Sequence, residues 1–149
     1  VADGVYIFRR VGDQQWDQIQ RLDTGDFCDI VGNTMMVMDN YKIHAYQFDD
    51  ELGEFIPLQD ALSTNGDVYR MSLSNNQLIY SSAQGEVFIY HRQNTYQPFS
   101  LHQRFNSSDF DDDIGHALAL DEDILVIGGR NRTHVFSEQN GVFEKSLSR

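Results

Sequence analysis

The chain has 149 residues, enough for one ordinary domain or an array of small units, and 40% apolar and 12% aromatic content with only 2 prolines excludes a disordered tail or a collagen-like fibre. Lys plus Arg number 11 against 23 Asp plus Glu, a formal charge of −12, so nucleic acid or an anionic lipid surface is repelled and proteins, glycans or cations are the expected partners. The longest apolar runs, as at Met35 to Met38 and Ile124 to Gly128, are too short to span a bilayer, so no membrane insertion is expected, and the lone Cys28 can close no internal disulfide.

Val5-Tyr6-Ile7-Phe8 opens the chain as an aromatic-ended strand, and after a polar turn Trp16 to Leu22 reads as a weaker one. Next, Ile30-Val31-Gly32-Asn33-Thr34-Met35-Met36-Val37 reads as a hairpin with Gly32-Asn33 at its turn, where positive φ favours Gly, Asn or Asp. Cys28, beside this run, is expected to be a small core residue. Ile43-His44-Ala45-Tyr46 repeats the aromatic-ended strand, and Phe55 to Leu62 repeats the weaker one. The hairpin returns without gaps at Leu73 to Tyr80, turning at Asn75-Asn76, and at Leu120 to Ile127, turning at Glu122-Asp123. Val87-Phe88-Ile89-Tyr90 and Thr133-His134-Val135-Phe136 follow the two copies, and the weak strands close them at Phe99 to Phe105 and Phe143 to Leu147.

The hairpins recur at spacings of 43 and 47 residues, and a period in the forties with four short strands per unit is the signature of a β-propeller blade. The second strands, Met35 to Met38, Leu78 to Tyr80 and Ile124 to Ile127, are apolar on consecutive residues, which requires cover on both faces. Leu78 and Leu125 are therefore expected to be buried. Pro57 and Pro98 fall in fourth strands, placing those strands at an outer edge that can spare the missing N–H. The expected fold is all-β: a partial propeller of about three and a half four-stranded antiparallel blades and fourteen strands. A half-blade covers 1–25 and blades cover 26–62, 63–105 and 106–149.

The Tyr6-Ile7-Phe8 strand, polar turn, Trp16 and Ile19-Gln20-Arg21-Leu22 strand resemble the FG-GAP-like repeats of integrin-type propellers, as does Asp113-Ile114-Gly115-His116-Ala117-Leu118 before a hairpin. The Phe-Gly pair stands as Ile114-Gly115 in one copy and Phe27-Cys28 in another. Gly128-Gly129 after an apolar strand also resembles a kelch repeat. The resemblance implies an extracellular or cell-surface recognition module, with calcium in some members.

Asp109, Asp111 and Asp113 alternate in one loop, as a calcium site requires of its first carboxylates, although the following Gly115 lies one residue later than an Asp-x-Asp-x-Asp-Gly loop has it. These three are the candidate calcium ligands, set against the reading of a solvated acidic loop. Asn106-Ser107-Ser108 and Asn131-Arg132-Thr133 are sequons, making Asn106 and Asn131 candidate glycosylation sites in a secreted chain. His44 and His134 occupy a position held by Tyr6 and Phe88 in the other copies, so both are expected to pack rather than to catalyse. No catalytic residues are assigned.

The function expected from these residues is a non-enzymatic structural or recognition module acting through protein contacts. The alternatives are a calcium-dependent or glycan-binding module and a fragment of a propeller enzyme. The half-blade lacks the inner hairpin its counterparts have, and the last blade lacks a successor, so a protein partner, an oligomer or the remainder of a propeller is expected to cover both ends.

Overall fold

The computed structural model describes residues 4–148. Strands β1 (Val5–Arg10) and β2 (Trp16–Leu22) form a two-stranded sheet. Strands β3 (Phe27–Val31), β4 (Thr34–Asp39), β5 (Lys42–Asp49) and β6 (Glu54–Pro57) lie side by side in chain order, and β7 (Leu62–Ser63) also pairs with β5. Strands β8 (Val68–Leu73), β9 (Gln77–Ser82), β10 (Glu86–His91) and β11 (Ser100–Asn106) make the third meander. A 3-10 turn at Ser107–Asp109 leads to the fourth, of β12 (Ile114–Asp121), β13 (Ile124–Gly129), β14 (Thr133–Gln139) and β15 (Val142–Ser148). Every pairing is antiparallel, and the result is three and a half four-stranded blades. The chain divides between Ser63 and Thr64 into two compact units.

The first two strands of each full blade are joined where the sequence puts a two-residue turn: Val31 pairs with Thr34, the Ser74 N–H meets the Gln77 carbonyl at 2.8 Å, and Asp121 pairs with Ile124. Gly32 (φ 56°) and Glu122 (φ 45°) take the left-handed conformation that such a turn demands. Asn75 and Asn76 do not. That turn is held from outside, because the buried Arg92 donates from Nε and Nη2 to the Asn75 carbonyl at 2.9 and 2.5 Å and from Nη1 to Thr95 at 3.0 Å. Its guanidinium lies 4.3 Å from the Phe99 ring centre, and burial pushes its pKa down to about 10. The second turn residue of each hairpin also accepts a bond from the lengthened third strand, Phe48 to Asn33, Arg92 to Asn76 and Glu138 to Asp123.

Leu78 and Leu125 are fully buried, as second-strand positions require. In the first unit Val5, Ile7, Met35, Val37 and Phe55 form one core. In the second, Ile79, Val87 and Ile89 pack with Ile114, Leu125, Ile127, Phe136 and Phe143. Strand β13 departs from the expectation of two covered faces: Leu125 and Ile127 are buried, whereas Ile124 on the opposite face is exposed. The terminal face bearing Ile124 is less bulky than expected, since Ala117 and Ala119 share it with Val126 and Val135.

Fourth strands are outermost, as expected, but two details differ. The strand expected from Phe55 to Leu62 is split, giving fifteen strands among the described residues. Tyr46 pairs with Pro57 and Ile43 with Leu62, so β6 and β7 spend two residues more than β5 between the same rungs. The other outer strands have one extra residue at the equivalent rung, Ile19, His102 and Ser146. Pro57, which has no N–H for the ladder, sits beside the enlarged bulge. Pro98, expected within a fourth strand, precedes β11 by two residues. Cys28, expected in the core, is exposed on β3.

Candidate functional site

The half-blade presents two different faces. Val5 and Ile7 point into the core of the first unit, and strand alternation turns Tyr6 and Phe8 the other way, each 50% exposed. Cross-strand pairing sets Arg21 opposite Tyr6, Gln18 opposite Phe8 and Trp16 opposite Arg10, so these six side chains share one surface. The Arg21 guanidinium lies 5.3 Å from the Tyr6 ring centre, and Trp16 is 60% exposed. The repeat gives this surface a meaning. Tyr6 and Phe8 stand where the last blade has His134 and Phe136, which are wholly buried in the second unit's core. Among the described residues β1 pairs only with β2, leaving its other edge free. A basic, aromatic sheet face with an open edge, in a chain of charge −12, suits an acidic or apolar polypeptide.

The acidic loop is built otherwise than its alternation suggests. Asp109 turns back to accept the Asn106 N–H at 2.9 Å, Asp111 takes a left-handed φ of 50°, and Asp113 faces His116 at 3.3 Å. The three do not converge, and among the described residues no three His, Cys, Asp or Glu side chains are placed to hold a metal ion. Asp112, passed over by the alternating pattern, is the organising residue. Its side chain and that of His134 are fully buried, 3.2 Å apart, and it accepts the Asn131 and Arg132 N–H groups at 3.2 Å each. Burial pushes the Asp112 carboxyl up, but the bonds from His134 and from the Asn131, Arg132 and Asp113 N–H groups outweigh it and hold the pKa below the ordinary aspartate value. This pair fastens the β13–β14 loop onto the loop entering β12.

Of the sequon residues, Asn106 is half-buried at the end of β11 and Asn131 is exposed, with its Nδ2 3.4 Å from Asp112 Oδ1. Its neighbour Thr133 opens β14. His134 packs as expected, between Phe110 and Asp112, and His44 lies half-buried beside Tyr46.

No known family profile matches the chain, and no curated protein matches it in sequence. Solved structures do resemble it. A protein from Lactobacillus plantarum superposes with a TM-score of 0.72 at 13% identity, over 97% of this chain and 50% of that one. An S. cerevisiae assembly of Dbp5 bound to Nup159, Gle1, IP6 and ADP gives 0.55 at 13% identity, over 93% of this chain and 33% of that one. The N-terminal domain of Nup159 gives 0.55 at 13%, over 94% and 34%. The chain thus spans half the length of the first and about a third of the other two. These neighbours are β-propeller-like, so the propeller-type repeat is shared with them while the FG-GAP pattern is not specifically supported. By its sheets and its neighbours, the chain is an all-β partial β-propeller.

Proposed function

We propose that the chain is a non-enzymatic recognition module that works through protein contacts made by its half-blade. The observation that carries this reading is the exposed surface of Tyr6, Phe8 and Trp16, in which Tyr6 and Phe8 have the buried His134 and Phe136 as their repeat counterparts. One of the structural neighbours is an assembly in which Dbp5 is bound to Nup159 and Gle1, which fits a propeller used for protein contacts. The buried Asp112–His134 pair, closed to solvent and spent on a loop, favours a structural over a catalytic role. Sedimentation velocity across micromolar concentrations tests the proposal. The wild-type chain associates, and a Tyr6→Ser, Phe8→Ser variant with an unchanged melting temperature remains monomeric; a wild-type chain that stays monomeric throughout overturns it.

The same reading sets the module at the cell surface or outside the cell, as the FG-GAP-like stretch Asp113 to Leu118 and the two sequons suggest. Expression through a eukaryotic secretory route followed by endoglycosidase tests this. A mobility shift lost in an Asn131→Gln, Asn106→Gln variant supports it, and an unshifted band refutes it.

A further inference from the structure

We infer that His91 and His102 chelate a first-row transition dication on the face of the third meander that looks toward the β14–β15 hairpin. The site lies wholly within the second unit and away from the half-blade, so it stands or falls separately from the protein-contact reading.

The register brings the two rings together. His91 is the last residue of β10 and pairs with Ser100, so strand alternation along β11 returns His102 to the face of His91. Side chains on this face reach β14 and β15. Gln103 holds the Phe143 backbone, Gln77 opposite His91 donates to Glu138 Oε2 at 2.5 Å, and His102 Nε2 meets the Gly141 carbonyl. The two imidazole centres lie 5.7 Å apart with their planes inclined by 48°.

The chemistry of each ring favours a metal. A carbonyl only accepts, so neutral His102 carries its proton on Nε2 and keeps the lone pair on Nδ1. Metal-binding imidazoles are commonly held this way, by an acceptor on the nitrogen that does not ligate. His91 has the corresponding acceptor in its cross-strand neighbour: Gln77 is 7% exposed, and its buried Oε1 has no hydrogen-bond partner among the described residues. At the same place in the second meander the cross-strand pair is closed, with Thr34 Oγ1 donating to Gln47 Oε1 at 3.1 Å. Two imidazoles bound to one Zn2+ through bonds of about 2.0 to 2.1 Å have ring centres roughly 5 Å apart at a tetrahedral angle. A small rotation of the half-buried His91 ring closes the difference. His102 is exposed, so water fills the remaining coordination positions, and two protein ligands agree with the absence of a three-residue metal cluster among the described residues. Imidazole suits zinc, copper and nickel, and a chain of charge −12 concentrates cations near it.

The repeat itself does not ask for histidine at either position. Gln47 and Ser137 stand in the place of His91, and Ile19 and Ser146 are the extra bulge residues of β2 and β15 where β11 has His102. The blade therefore packs without these rings, and their pairing belongs to the third meander alone.

Zinc chloride titrated into the whole chain at neutral pH, by calorimetry and by proton–nitrogen NMR of the imidazoles, tests the inference. The expected result is one ion per chain, with the Nδ1 resonance of His102 moving while its Nε2 stays protonated. His91→Gln and His102→Gln each weaken binding by at least about tenfold, and His116→Gln, which removes an exposed histidine elsewhere on the unit, leaves it unchanged. Equal binding by the His91→Gln, His102→Gln double variant overturns the site. So does coordination through Nε2 of His102, or an ion shared by two chains with a doubling of mass. Should a glutamine variant melt below the wild type, the NMR of the wild-type chain decides alone, and imidazole resonances unmoved by zinc refute the chelate.

Discussion

Gln103 holds both polar groups of the Phe143 backbone: its Nε2 donates to the Phe143 carbonyl at 2.9 Å and its Oε1 accepts the Phe143 N–H at 2.9 Å. Gln20 does the same to Phe55, at 2.9 and 2.8 Å. In each case an outer strand reaches the outer strand of the following sheet. The bulge beside each glutamine explains how. Ile19 and His102 are the extra residues on β2 and β11, and an extra residue reverses which face the next side chain occupies, aiming Gln20 and Gln103 across the gap.

Replacing Gln103 by Leu keeps the volume and removes both bonds, leaving the N–H and C=O of the buried Phe143 without those partners. The expected loss is about 1 to 3 kcal/mol, read as a lower urea midpoint with an unchanged slope. Gln103→Glu is also destabilising, because a carboxylate can accept the N–H but presents no donor to the carbonyl and sets an oxygen against it.

On β13 the two faces should respond differently to mutation. Leu125→Ala removes a fully buried side chain from the second unit's core, so it is expected to cost about 2 to 5 kcal/mol. Ile124→Thr, one residue away on the exposed face, keeps the β-branch and is expected to shift stability by about 0.5 kcal/mol or less. Chemical denaturation of the two variants at a concentration below that of association checks the contrast.

The pH dependence of stability follows from Asp112. Its folded-state pKa lies below the unfolded value, because hydrogen bonds from His134 and three backbone N–H groups overcome the upward push of burial. At acid pH the unfolded chain therefore binds more protons, and the stabilisation is complete above the ordinary aspartate pKa of about 4 and is lost as pH falls through the folded value. Asp112→Asn lowers the urea midpoint at pH 7, and the gap between variant and wild type narrows as pH falls below about 4. A gap that is constant across this range would remove the carboxylate from the account.

The strand order and the places of the turns were legible because they depend on local chemistry: Gly32 takes the left-handed conformation its residue type favours, although in the last hairpin Glu122 rather than Asp123 takes it, and Leu78 and Leu125 are core because apolar runs need cover. The Asn75-Asn76 turn departs from the left-handed form its residues favour, and Arg92, sixteen residues beyond Asn76, braces it from outside, which no local pattern announces. Asp112 was hidden for the opposite reason. Its neighbours Asp111 and Asp113 formed the attractive alternation, while its own partners come from the β13–β14 loop and β14. The glutamine clamps did leave a trace in the recurrence of Gln20-Arg21 and Gln103-Arg104 at matching points of the repeat.

Ile30 and Leu73 give the most direct test of the incomplete first blade. They occupy one position of the hairpin repeat, each at the end of a first strand and paired across to an apolar residue, Met35 and Leu78 respectively. Residue type and local geometry are therefore matched, and cover is not: Ile30 is 53% exposed and Leu73 4%. Truncation cost follows cover, because an exposed side chain has kept its water in the folded state and leaves no cavity when removed. Leu73→Ala is expected to cost about 2 to 5 kcal/mol and Ile30→Ala less than about 1 kcal/mol, both by urea denaturation of the free chain. Equal costs in the free chain would show that the first blade is already covered there, and the half-blade would then have no open side.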